Sequence, residues 1–334
     1  VRTRARRGWA AHADYLAAAP HPILPCQRER PAVTSMAPFN IAETEPARVC
    51  VGIATRGRPD QLAEMLDNLA RQTLTPQSII VCCSGPEDVG AVAARGDVTV
   101  VYEQPGLARQ RNGILRALPA DTDWVVFFDD DFYPDPRWIE TVSRAFRAEP
   151  ELACITGHVL ADGILGPGLT REEALTRIAA HDPAADDWVI EGYSPYGCNM
   201  AFRCAPIAGL RFDERLVLYG WLEDRDFGTR VAQRGGRLIK LGTATGVHLG
   251  VKGGRVSGRK LGYSQVMNPV YMHRKSTMTT AQLIRQIARN VASNLVKSAR
   301  PEPYVDRRGR LVGNLIAALD LLRLRLTPER AASL

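Results

Sequence analysis

Trp124-Val125-Val126-Phe127-Phe128-Asp129-Asp130-Asp131 joins an unbroken apolar run to three consecutive carboxylates. A short run that is apolar on both side-chain faces fits a strand covered on both sides. Working outward, Val49–Ala54, Ser78–Cys83 and Val98–Tyr102 have the same character. Between them, Leu62, Met65, Leu66 and Leu69 recur at helical spacing, and residues 107–118 continue as a second helix. Strands alternating with helices predict an α/β fold, a mostly parallel central sheet flanked by helices. Ligands in such sheets bind beyond the carboxyl ends of the strands, which points to residues 55–60, 84–90 and 129–131.

The triplet carries the chemistry. In extended chain Asp129 and Asp131 project to one side and Asp130 to the other. Asp129 and Asp131 can therefore act on one ligand, in a D-x-D arrangement. Carboxylate oxygens suit a hard divalent cation, Mn²⁺ or Mg²⁺. Carboxylates this close repel one another, so a counter-ion is expected. The plainer alternative is a solvated acidic turn.

Downstream, residues 134–147 read as a helix and 153–157 as a strand. The polar stretch 162–187 has the look of an insertion or lid. Glu223-Asp224 opens a helix over 223–234 whose buried side holds Phe227, Val231 and Ala232. Carboxylates at a helix N-terminus are favoured by the dipole alone. The functional alternative is a general base, Asp224, assisted by Glu223. Asp226 and Arg230, four residues apart, read as a structural pair. Trp221 and Tyr219 precede the acidic pair, placed to stack on a ligand or to pack in the core. Residues 237–241 are a short strand. His248 begins a glycine-rich basic stretch in which Lys252, Arg255, Arg259 and Lys260 are candidate phosphate donors. His248 itself is either a metal ligand or a hydrogen-bonded strand residue. His158, His181 and His273 receive no role. Residues 280–298 and 311–326 are arginine-rich amphipathic helices that either pack on the sheet or lie on a membrane surface.

Composition sets the outer bounds. The chain has 334 residues, 45% of them hydrophobic, enough for a sizeable core. Its seven cysteines lie at irregular spacings without a CxxC pair, which favours buried reduced thiols over a zinc site. The net charge is +7, but residues 252–334 hold 16 Lys/Arg against 4 Asp/Glu, leaving the remainder acidic. That asymmetry argues against a nucleic-acid binder and for contact with phosphates or an anionic membrane face. No stretch is long and apolar enough for a spanning helix. Residues 1–47 are proline-rich and aperiodic, and read as a disordered or loosely attached arm. Met36 stands before the first organised segment, which suggests that residues 1–35 are an extension from an alternative start codon.

Five pieces in order resemble a family 2 glycosyltransferase, an inverting enzyme of GT-A fold. They are Ala54-Thr55-Arg56-Gly57-Arg58-Pro59, Gly106-Leu107-Ala108-Arg109-Gln110-Arg111-Asn112, the Asp129–Asp131 triplet, Gly197-Cys198-Asn199-Met200 and Trp221-Leu222-Glu223-Asp224. The resemblance runs from about Val49 to Lys275. It implies that Asp129 contacts the donor ribose and that Asp131 ligates the metal, with His248 as a further ligand. It implies that Thr55 and Arg56 line the nucleoside pocket and that Arg111 and Asn112 approach the nucleotide. Arg58, Ser84 and Asp130 complete the implied donor set, Asn199 and Trp221 the acceptor set, and Asp224 is the implied base. One departure stands out. The family often carries an Asp near the end of the second strand, whereas Val81-Cys82-Cys83-Ser84-Gly85-Pro86-Glu87-Asp88 has none there. Ser84, backbone groups or Asp88 are left to meet the nucleobase.

The implied organisation is a GT-A domain over 48–275 and a basic helical segment over 276–334. The implied reaction moves a sugar from a nucleotide-diphospho-sugar to a glycan or lipid-linked acceptor hydroxyl in cell-surface glycan assembly, in the cytoplasm and peripherally at the inner membrane face. A sugar-nucleotidyltransferase and a non-catalytic nucleotide-sugar-binding protein are the alternatives.

Overall fold

The run ending in the carboxylate triplet forms a central strand, Trp124–Asp129, hydrogen-bonded along its whole length to parallel Val49–Ala54. The computed structural model describes residues 33–34, 47–253 and 256–334. The N-terminal arm, apart from residues 33–34 and 47, lies outside the described residues. So do the start-codon reading, Cys26 and Arg255.

In chain order the strands are β1 (Val33–Thr34), β2 (Val49–Ala54), β3 (Ser78–Cys83), β4 (Thr99–Tyr102), β5 (Trp124–Asp129), β6 (Phe132–Pro134), β7 (Leu152–Asp162), β8 (Val189–Glu191), β9 (Asn199–Arg203) and β10 (Arg237–His248). The main helices are α1 (Pro59–Leu69), α2 (Leu107–Ala117), α3 (Trp138–Ala148), α4 (Arg171–Ala179), α5 (Cys204–Ile207), α6 (Glu223–Gln233), α7 (Gly258–Arg274), α8 (Thr280–Lys297) and α9 (Arg307–Leu322). The sheet runs β1-β8-β10-β7-β9-β5-β2-β3-β4, with β6 paired to β10. Strands β5, β2, β3 and β4 are mutually parallel, as are β7 and β10. Antiparallel β9 joins the two blocks by pairing with both β5 and β7. The expected mostly parallel sheet is therefore present, with one reversed strand at its middle.

Alternation within the strands divides the core. Val49, Val51, Ile53, Val126 and Phe128 face α1 and α3, while Cys50, Val125 and Phe127 face the opposite layer with Phe202, Phe212 and Phe227. Five of the cysteines are buried free thiols and Cys204 is partly buried, as their apolar settings suggest. Two strands run further than their apolar cores implied. β7 continues to Asp162 and β10 to His248, which carries both polar side chains to the carboxyl edge of the sheet. Helix α7 was not legible in the pattern. Its buried face holds Gly262, Ser264, Gln265, Asn268 and Pro269 beside few large apolar residues, so it shows little amphipathic period. It packs with α8, α9 and the chain end around Tyr263, Val266, Met267, Ala317 and Ala331.

Phe127 sits where β5 meets the reversed strand, edge-on to Phe202 at 6.3 Å and Phe212 at 5.6 Å. Phe127→Ala is expected to lower unfolding free energy by about 3–5 kcal/mol, read by urea denaturation. A loss below about 1 kcal/mol would contradict this packing role.

Candidate active site

The loops at the carboxyl ends of β2, β5, β7 and β10 meet around the triplet. Each carboxylate has its own cation. Asp129 accepts from Arg111 at 3.2 Å, Asp130 pairs with Arg58 at 2.8 Å, and Asp131 lies 3.3 Å from His248 Nε2. Asp130 also accepts from the Thr55 hydroxyl at 2.7 Å. The extended-chain rule holds: Asp130 turns to the β2 loop while Asp129 and Asp131 share the other side.

On that side one ligand atom each from Asp129, Asp131 and His248 lies within 4.8 Å of the others, close enough to hold one metal ion. Two carboxylates and an imidazole suit a hard or borderline divalent cation. The His248 Nδ1 faces Asp162 at 2.9 Å, and Tyr196 donates its hydroxyl to the same Asp162 at 2.7 Å. This leaves His248 Nε2 directed at Asp131, the orientation a metal-ligating histidine needs. Burial pushes the Asp131 carboxyl up, but His248 and Arg58 overcome it and hold it well below the usual carboxylate range. Burial pushes Asp130 up to about 7, with Arg58 opposing.

The second acidic group approaches from α6. Leu222 precedes that helix at φ 72° and Gly220 at φ 64°, a tight left-handed entry that aims the first turn inward. Glu223 is buried and bonded to Arg111, whose other nitrogen also donates to the Gly197 carbonyl at 2.8 Å. Asp224 is half-buried and accepts from the Gly197 amide at 2.9 Å and from the Arg225 amide at 2.7 Å. Gly197 is required for this closeness: a Cβ there would lie 2.9 Å from the Arg111 guanidinium and 3.3 Å from Asp224 Oδ2. Burial raises the Asp224 carboxyl above its ordinary value, against the pull of Arg111. Burial pushes Glu223 up to about 8; Arg111 offsets part of this, and Asp224 and Asp129 add to it.

Several residues expected to touch substrate have other occupations. Thr55 gives its hydroxyl to Asp130, and its carbonyl accepts from Gln110 at 2.7 Å. Asp130 is fully buried against Thr55 and Arg58 and presents nothing to the metal side. Asn112 is buried and clamps the chain at Phe212, accepting from its amide at 2.8 Å and donating to its carbonyl at 3.0 Å. Asn199 is buried on β9 with its oxygen on the Thr156 hydroxyl at 3.1 Å, away from any acceptor. Asp88 accepts from the amides of Gly57, Ser84 and Gly85 and so ties two loops together. Lys252 donates to the Gly163 carbonyl at 2.9 Å, and Lys260 to the Ala332 carbonyl at 2.8 Å. Asp226 bonds Lys275 at 2.9 Å and Thr277 at 2.6 Å, with Arg230 more distant at 3.8 Å, so it is structural through other partners than expected.

Other expectations are free to act. Among the described residues the buried Ser84 hydroxyl and the buried Trp221 Nε1 have no hydrogen-bond partner, and Arg56 and Arg259 are exposed. Trp221 and Tyr219 line one groove with Lys260 and Ser264. Sequence reasoning overlooked Asp162 and Tyr196, and placed Gly197 in a motif without giving it a role. Asp162 was accessible to the rule about strand ends, had β7 been read to its full length.

Residues 50–213 match the model of glycosyl transferase family 2. That segment belongs to the family. The match takes in the β2 loop, Arg111 and the triplet and stops before Glu223, Asp224 and His248. Galactofuranosyltransferase GlfT1 of Mycobacterium tuberculosis is 31% identical over 140 residues, which are 38% of this chain and 41% of that protein. The chain thus matches less than half the length of that relative. Among solved structures, the mannosyltransferase PcManGT from Pyrobaculum calidifontis, in complex with GDP-Man and Mn²⁺, superposes with TM-score 0.52 at 17% identity, covering 89% of each chain. S. aureus TarS 1–349 gives TM-score 0.54 at 14% identity, over 86% of this chain and 82% of that one. The family 2 fold here is GT-A.

Glu223 supplies a pH test. Its folded-state value, about 8, lies above the ordinary 4.5, so the folded protein keeps a proton that the unfolded chain releases. That contribution is complete below about 4.5 and disappears as pH rises through about 8. Glu223→Gln is expected to flatten the fall in unfolding free energy across this window, measured by denaturant titration at several pH values. An unchanged slope would contradict the assignment.

Proposed function

We propose that the protein is a metal-dependent, inverting glycosyltransferase that moves a sugar from a nucleotide-diphospho-sugar to an acceptor hydroxyl in cell-surface glycan assembly. The observation that carries this reading is the convergence of two acidic groups on one arginine. Asp129 and Asp131 lie with His248 on one side, and Asp224 enters on the other through Gly197. Residues 48–275 form the transferase unit, and the basic segment 276–334 follows it.

Asp129, Asp131 and His248 would hold Mn²⁺ or Mg²⁺, which as a Lewis acid stabilises the departing diphosphate. In this D-x-D reading Asp129 also meets the donor ribose. Ser84, with its free hydroxyl, and Arg56 are the nucleoside contacts. Arg58 holds the triplet in register from behind. Asp224 takes the acceptor hydroxyl proton as that oxygen attacks the anomeric carbon and the bond to the nucleoside diphosphate breaks, which inverts the centre. A raised value suits a carboxylate that must accept a proton near neutral pH. Trp221 offers an aromatic face to the acceptor sugar. Glycan or lipid-linked acceptors fit this reading, and so does peripheral contact of the basic segment with the inner membrane face. No helix among the described residues is long and apolar enough to cross a membrane.

Thermal-shift titration with UDP, GDP or TDP tests the donor half. With Mn²⁺, one nucleotide at about 100 times its dissociation constant is expected to add roughly 2.7 kcal/mol, an effect absent in Asp131→Ala. No response to any nucleotide would overturn the donor site. For the base, Asp224→Asn is expected to lower transfer about 10²- to 10⁴-fold while nucleotide binding persists. Undiminished turnover in that variant would remove Asp224 from the reaction.

A further inference from the structure

Helices α8 and α9 pack Ile287, Val291, Ile316, Ala317 and Leu321 inward, yet bury amides and a carboxylate beside them and leave other large apolar side chains outside. On α8 the fully buried residue is Asn294, whereas Ile284 is 63% exposed, Leu295 63% and Val296 74%. On α9 the buried residues include Asn314 and Asp320, whereas Leu315 is 65% exposed, Leu319 50% and Leu322 81%. Helices at a water-facing surface show the opposite pattern.

The inward polar groups are matched to one another. Asn294 donates to Gln265 at 2.8 Å and to Asn314 at 3.1 Å, and Asn314 donates to the Gly262 carbonyl at 2.7 Å. Asp320 accepts from Tyr263 at 3.0 Å and pairs with Arg330. A network satisfied this fully fixes the helix rotation, so the outward leucines do not result from a loose or slipped packing. Leu315, Leu319 and Leu322 follow i, i+4, i+7 spacing and form one stripe along α9. Among the described residues, the remaining exposed large apolar side chains outside these two helices are Leu324, just beyond α9, and the distant Tyr102 and Tyr219.

Cations border this apolar face. Arg285, Arg300, Arg323 and Arg325 are exposed, and among the described residues no carboxylate forms an ion pair with any of them. The only carboxylates between residues 280 and 325 are Glu302, Asp306 and Asp320. Glu302 is held by Lys297 and Arg307, Asp306 caps α9, and Asp320 is buried. An apolar stripe bordered by unpaired arginines is complementary to an anionic headgroup layer over acyl chains. Neither helix can span a bilayer, so the contact is with one leaflet.

We propose that the outward face of α8 and α9 is a docking surface for an anionic lipid bilayer, with Leu315, Leu319 and Leu322 entering the interfacial layer. The inference deepens the reading that transfer occurs beside a membrane, and names the apolar stripe, rather than the charge surplus alone, as what binds.

The test is co-sedimentation of the full chain with vesicles of phosphatidylglycerol and phosphatidylcholine, and with phosphatidylcholine alone. The wild type is expected to bind the anionic vesicles, less so as salt rises. The triple variant Leu315→Glu, Leu319→Glu, Leu322→Glu is expected to lose at least about 10-fold in partitioning with its melting transition intact. Should that variant misfold, Leu322→Ser combined with Leu324→Ser alters only the most exposed sites and is expected to weaken binding in the same direction. Wild-type binding by a folded variant, or no binding of the wild type to anionic vesicles, would overturn the proposal. So would a stable dimer that the triple variant disperses, since a second copy would then cover the face. Vesicle binding is read without turnover. Absence of wild-type binding with transfer intact therefore rejects the docking surface alone, and wild-type binding without transfer rejects the enzymatic reading alone.

Discussion

The guanidinium of Arg111 holds both halves of the site. It is buried against the rings of Phe127 and Phe212, with centroid distances of 5.8 and 5.6 Å. From there it reaches Asp129 at the end of β5, Glu223 at the start of α6 and the Gly197 carbonyl before β9. A buried charge is costly unless paired and hydrogen-bonded, and breaking such a pair costs about 3–5 kcal/mol. The planar fork answers this cost by tying the start of α6 to the place where β5 and β9 are paired. Burial raises Glu223 and Asp224 together, so the same arginine also governs how the acidic pair shares its protons.

The sheet supplies the frame for that contact. Parallel β2 and β5 deliver their loops to one edge, and β7 and β10 bring Asp162 and His248 to the same edge. Reversed β9 makes this compatible with a chain that must return through Gly197. Each carboxylate of the triplet then has a basic partner, with Arg58 shared between Asp130 and Asp131, and mutual repulsion is relieved before any metal binds. His248 is oriented by Asp162, which Tyr196 in turn holds by its hydroxyl. Fixing the imidazole this way reduces what a bound ion would have to reorganise.

Much of the fold was legible because its strands are apolar on both faces and its first helices are strongly periodic. The triplet's geometry followed from strand alternation. Four residues expected to meet substrate carry structural hydrogen bonds of their own. Thr55, Asp130, Asn112 and Asn199 are polar residues at positions where a substrate contact and a buried structural hydrogen bond look identical in one dimension. Their partners, Phe212 for Asn112 and Thr156 for Asn199, lie far away in the chain. Helix α7 escaped notice because its buried face is glycine and amide rather than leucine. That α8 and α9 leave an apolar stripe outside while burying Asn294, Asn314 and Asp320 is a tertiary fact. An amphipathic period shows that two faces differ, and only the packing shows which one looks outward.

The central claim is that Arg111 positions the base side relative to the donor side. It is tested by the turnover of Arg111→Lys, which keeps the charge and removes the fork, with the nucleotide sugar whose nucleotide binds. The account predicts cooperative unfolding, retained metal-dependent nucleotide binding, and a kcat lower by at least about 100-fold, because misplacement of reacting groups by about 1 Å has that effect. A cooperatively folded variant that turns over at the wild-type rate would contradict it.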